Sequence, residues 1–139
     1  MLKIPNSIYN DLIAHAREEL PLEACGILGG SGDRVTVMNP MANADASSEH
    51  FTLEPQEQFA VHKALRAKGL SILAIYHSHP ATPARPSPED IRMAYTPEVS
   101  HVIISLADPT GADVKSFQIV NGAVEQERLE IVFDGESKI

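Results

Sequence analysis

Apolar residues recur at Ile8, Leu12, Ile13, Ala16 and Leu20, the spacing of one helix face, and Asn6 ahead of them is a favoured N-cap. The pattern predicts a first helix from Asn6 that ends before Pro21. Ala24 to Leu28 is short, small and apolar, Gly29-Gly30-Ser31-Gly32-Asp33 follows as a turn, and Arg34 to Met38 alternates in period two. Together these predict a β-hairpin. Pro40 to Glu49 is rich in Asn, Ala, Ser and Asp without periodicity and reads as a surface loop, with Phe51 to Leu53 a brief strand after it. Pro55 suits a first helical position, Phe59, His62 and Leu65 share a face, and Gly69 suits a helix C-terminus, which predicts a second helix.

Ser71 to His79 begins apolar and ends polar, as a buried strand does when its C-terminal end reaches a site. Pro83, Pro86 and Pro88 keep the next stretch extended until Ser87 caps a short helix running to about Tyr95. His101 to Leu106 is another buried strand, and Val114 to Val120 and Ala123 to Val132 flank Asn121-Gly122, a type I′ hairpin signal. About six strands and three helices, without βαβ alternation, predict an α+β fold. Residues 1–133 are expected to form one domain and 134–139 a polar, frayed tail.

Composition narrows the chemistry. The 139 residues carry 11 Lys and Arg against 19 Asp and Glu, a net charge of −8, with no basic cluster, so a nucleic-acid partner is not expected. No apolar run approaches the roughly 20 residues of a membrane helix, and the N-terminus lacks the apolar core of a secretory signal. The expected location is the cytoplasm. With Cys25 the single cysteine, an internal disulfide or a Cys-based zinc site is excluded, and any metal ligands must be His and carboxylate.

His77 and His79 lie two apart at the end of a predicted strand, so both imidazoles leave the same face, about 6 to 7 Å apart at their roots. Such a pair can grip one metal ion, and Asp90, on the first turn after Ser87, is the candidate third ligand. Ser87-Pro88-Glu89-Asp90 is also a good capping box, which by itself explains Ser87 and Asp90 without a metal. Cys25 is expected in the core and Ser78, on the opposite strand face from the histidines, in a structural role. His15, His62 and His101 show no ligand spacing; His50 is a candidate for a cleft wall, and Thr82 and Arg85 either contact substrate or solvate a turn.

His77-Ser78-His79-Pro80 with Ser87, Asp90 and the upstream Glu23 resembles the signature of the JAMM (MPN+) zinc metalloproteases, and the likeness runs from about Ile4 to Val120. The resemblance implies a curved mixed sheet flanked by helices, layered like the cytidine deaminases. It also implies that His77, His79 and Asp90 hold Zn²⁺, that Glu23 hydrogen-bonds the zinc-bound water as general base, and that Ser87 donates to the oxyanion. The reaction implied is amide hydrolysis. Short loops and the Pro21-Leu22-Glu23-Ala24-Cys25-Gly26 segment look most like the bacterial branch that acts after the C-terminal Gly-Gly of ubiquitin-like sulfur carrier proteins. Alternatives are a broader isopeptidase or small-peptide hydrolase, and a metal-free MPN scaffold that only binds partners.

Overall fold

The computed structural model describes residues 1–134. Of the expected polar tail, residues 135–139 lie outside the described residues. The elements run β1 (Leu2–Pro5), α1 (Asn6–Glu18), β2 (Cys25–Ser31), β3 (Arg34–Met41), α2 (Pro55–Ala67), β4 (Ser71–His79), α3 (Pro88–Arg92), β5 (Ser100–Ser105), β6 (Asp113–Val120), β7 (Ala123–Glu127) and β8 (Leu129–Val132). All eight strands join one mixed sheet in the order β7-β6-β5-β4-β2-β3-β1-β8. The α+β expectation holds, with eight strands in place of about six.

Both additional strands arise from pairing between the chain's two ends. β1 lies parallel to β8, with Leu2 opposite Leu129 and Ile4 opposite Ile131. The segment expected as one strand from Ala123 to Val132 is split at Arg128, its first half on β6 and its second half on β1. β7 and β8 are the two ends of the strand order, yet one residue joins them, so the edges of the sheet must come together. α1 touches both β5 and β8, five places apart. A flat sheet would separate those strands by about 24 Å, so the sheet wraps around the helix.

The face wrapped around α1 holds the main core, where Ile8, Leu12 and Ala16 meet Leu28, Tyr76, Val102 and Ile104. Gly26 belongs to this face. A Cβ there would stand 2.5 Å from the Tyr76 ring, so glycine lets that ring lie flat on β2 with its hydroxyl 2.9 Å from His15 Nδ1. On the opposite face α2 inserts Leu65 against Ile27 and Met41. Leu65 presses onto Gly29, whose Cβ would come within 2.5 Å of it, which is why Gly29 and Gly30 are strand residues and the turn falls at Gly32-Asp33. Of Phe59, His62 and Leu65, expected on one face of α2, only Leu65 is buried, and Phe59 is 69% exposed.

The cap of α1 also differs from expectation. Asn6 is already helical and makes no cap bond; Asp134 instead accepts from the Ser7 N–H at 2.9 Å and from the Ser7 hydroxyl, so a residue 127 positions away closes the helix. α3 ends at Arg92, short of Tyr95. Phe51 to Leu53 forms only a single bridge, Asn43 to Leu53. Among the described residues, no helix is long and apolar enough to cross a membrane.

Candidate metal centre

β4 is central, antiparallel to β2 and parallel to β5. Its register sets His77 opposite Cys25 and Ile103, and His79 opposite Ser105, so both imidazoles stand on the sheet face away from α1. Ser78, on the other face, accepts the Ala24 N–H at 2.8 Å and pins the start of β2 alongside the pair. The structural reading of Ser78 therefore stands.

The proline-rich loop brings Asp90 back over the strand end. His77 Nε2 lies 3.1 Å from His79 Nε2, and Asp90 Oδ2 lies 3.2 Å from the first and 3.1 Å from the second. Three atoms that each carry a lone pair converge here, and one proton can bridge only one pair of them. For ligands at 2.0 to 2.1 Å in a tetrahedron the edges would be about 3.3 to 3.4 Å, close to the separations found. Two imidazoles and one carboxylate with these spacings fit a zinc ion as a three-residue ligand set.

The supporting contacts orient the donors toward that point. His79 Nδ1 donates to the Pro83 carbonyl at 2.9 Å, which fixes the tautomer with the lone pair on Nε2. Ser105 Oγ donates to the Thr82 carbonyl at 2.6 Å and ties the same loop to β5. Thr82 thus acts through its backbone, and Arg85, an exposed residue, is not among those lining the cleft. His77 stacks on Phe51, ring centroids 4.6 Å apart at 22°. Asp90 Oδ2 also accepts the Ser87 N–H at 2.9 Å, while Ser87 Oγ accepts the Asp90 N–H at 3.0 Å. The capping box is real and coexists with the convergence, because it aims Asp90 Oδ2 and leaves the Ser87 hydroxyl hydrogen free.

Electrostatics follow from burial and from these contacts. Burial pulls His77 below the ordinary histidine range. Burial also opposes the charge on His79 and Asp90, but the hydrogen bonds between them prevail, so His79 is raised and Asp90 is held well below the usual carboxylate range. Glu23 is 3% exposed and, among the described residues, its Oε1 has no hydrogen-bond partner. Burial pushes its carboxyl up to about 8, with Asp90 raising it further and His79 and His50 opposing. An orphaned acid beside a convergent donor set is one that a nearby cation or water would satisfy. Cys25 is a core thiol as expected, buried and pushed up to about 12 by burial.

A cleft of about 260 Å³ opens at His77 and Asp90, walled by His50 and Phe51 from the loop before α2 and by Glu89 on α3, with His101 beside His77; His79, Glu23 and Ser87 are not among the residues that line it. Phe51 and Asn43 were not expected to serve the site. Asn43 Nδ2 donates to the carbonyls of Glu23, Ser47 and His50 at 3.2, 3.3 and 3.0 Å, and the Glu23 N–H donates to the Ser47 carbonyl at 2.8 Å. The loop thereby holds the Glu23 backbone. An aperiodic run carries no signal for such contacts beyond its wealth of Asn, Ser and Asp.

Residues 5–120 match the family model of prokaryotic homologs of the JAB domain, and the chain belongs to that family. It is 38% identical over 134 residues to a CysO-cysteine peptidase of Mycobacterium tuberculosis, covering 95% of this chain and 92% of the relative. A probable TtuB-protein conjugate cleaving protease of Thermus thermophilus is 38% identical over 95 residues, 68% of this chain and 64% of that protein. Among solved structures, a protein from Desulfitobacterium hafniense superposes with a TM-score of 0.89 at 43% identity, covering 99% of this chain and 97% of the other.

Proposed function

We propose that this chain is a zinc metallopeptidase that hydrolyses the bond after the C-terminal Gly-Gly of a ubiquitin-like sulfur carrier protein, in the cytoplasm. The observation that carries the reading is the convergence of His77, His79 and Asp90, two of which line a cleft, with a buried Glu23 carboxyl close enough to feel the charges of His79 and Asp90. The names of the relatives, one a CysO-cysteine peptidase and one a probable TtuB-protein conjugate cleaving protease, agree with hydrolysis at a carrier's tail. A Gly-Gly tail is thin and flexible, so it can lie extended in a narrow cleft, held by main-chain hydrogen bonds.

His77, His79 and Asp90 would hold the ion. When bound, zinc supplies Lewis acidity, lowering the pKa of water towards about 7 and polarising the scissile carbonyl. Glu23 takes the proton from the attacking water and returns it to the leaving amine, a task that suits a buried carboxyl whose own affinity for the proton is raised. Ser87 turns its free hydroxyl hydrogen toward the oxygen that gains charge as the carbonyl becomes tetrahedral. The Pro83 carbonyl and Phe51 keep the two imidazoles oriented throughout.

The test is a panel of carrier proteins bearing one residue or a short peptide after Gly-Gly, alongside lysine-linked conjugates, read by mass spectrometry. Release of the added residue with Gly-Gly exposed is expected. Cleavage of the lysine-linked conjugates alone would instead establish the broader isopeptidase, the second reading that the Thermus relative's name favours. No cleavage of any member of the panel by protein that takes up no zinc when zinc is supplied would leave the binding scaffold.

A further inference from the structure

The cleft wall facing α3 carries a polar relay outside the metal triad. Thr52 Oγ1 donates to Asp45 Oδ2 at 2.6 Å, and His50 Nδ1 meets the same oxygen at 2.9 Å. A carboxylate has only lone pairs to offer, so Nδ1 carries the hydrogen, and in the neutral ring the lone pair is on Nε2; the Asp45 contact raises the His50 pKa above its ordinary value, so this acceptor form is the one present on the alkaline side of that raised value. Among the described residues, that nitrogen has no protein partner. Asp45, His50 and Thr52 all line the cleft, together with His77 and Asp90.

The relay is also fixed relative to the site. The Asn43 side chain that bonds the Glu23 carbonyl bonds the His50 carbonyl too, and its Oδ1 accepts the N–H groups of Asp45 and Thr52 at 3.0 and 3.2 Å. One side chain therefore sets the height of all three residues against Glu23. Among the described residues no Lys or Arg lines the cleft, while Asp45 and Glu89 do, which disfavours an anionic occupant and favours a donor such as a peptide N–H.

Building on the functional reading above, we propose that His50 is a substrate-contacting residue whose Nε2 accepts a backbone N–H of the peptide lying in the cleft. Asp45 and Thr52 are positioning residues that hold its tautomer. The ligand class is an extended main chain read through its amide, a contact that a tail without side chains can make.

The experiment measures steady-state cleavage of a ubiquitin-like carrier extended by one cysteine after Gly-Gly, with zinc content and melting temperature recorded for each variant. His50→Ala is expected to raise KM about tenfold, the value of one hydrogen bond, with kcat changed less than about threefold. His50→Gln, which retains an acceptor oxygen, should recover most of that loss. Asp45→Asn should raise KM similarly, since an amide can donate to Nδ1 and release the tautomer. Zinc content is expected to stay the same in all three. An unmoved KM in His50→Ala, or a fall in kcat alone, would overturn the assignment while leaving the functional reading in place. Absence of turnover by the unaltered chain would overturn that reading and this inference with it.

Discussion

Glu23→Gln should separate stability from catalysis. The Glu23 carboxyl is 3% exposed, leaves Oε1 unpartnered, and is raised by burial from 4.5 to about 8. Its folded value lies above its unfolded one, so the stability it supports is complete below pH 4.5 and is lost as pH rises toward 8. At about 1.36 kcal/mol per tenfold displacement, the loss at pH 7.5 is about 4 kcal/mol, reduced to about 2 kcal/mol once solvent and protein relaxation are allowed for. Glutamine has the shape of the protonated acid and no charge to bury. In protein stripped with a chelator, Glu23→Gln should therefore raise stability by about 2 kcal/mol at pH 7.5, by less at pH 6, and by almost nothing at pH 4.5. Urea denaturation followed by circular dichroism at the three pH values reads this directly. The same substitution should abolish cleavage, because an amide cannot relay a proton. Equal midpoints at pH 7.5, or a gap that persists at pH 4.5, would refute the argument from burial.

Three further outcomes are expected. Ser87→Ala should lower kcat by about 10² to 10³ through the lost oxyanion donor and reduce stability by about 1 kcal/mol through the lost cap, measured by kinetics and by denaturation. Phe51→Ala should weaken zinc binding by about tenfold in a chelator competition, because the stacked ring no longer holds His77, with the fold intact by circular dichroism. Gly26→Ala should cost about 1 to 3 kcal/mol in thermal denaturation, since the added methyl would sit 2.4 Å from the Asn39 carbonyl oxygen and displace Tyr76.

What the sequence made legible was local. The apolar-to-polar gradient of Ser71 to His79 marked β4 at its observed bounds, and period-two geometry put both histidines on one face. The prolines and the Ser87 box located the turn that returns Asp90. Contacts between distant segments left no such trace. β1 and β8 pair across more than 120 residues, and four-residue strands are too short to show a period. Gly29 and Gly30 resembled turn residues because they make room for Leu65 and for the Arg34 backbone, a packing requirement met only in three dimensions. Phe51 resembled a strand residue because its partner, His77, lies 26 positions further on.

The central claim is that two imidazoles and one carboxylate hold a single cation. Elemental analysis of the purified chain, beside His77→Ala and Asp90→Ala, tests it most directly. The account predicts about one zinc per unaltered chain and little in either variant, with all three folded by circular dichroism. Equal zinc in the three proteins, or none in the unaltered chain after purification with zinc supplied, would contradict it.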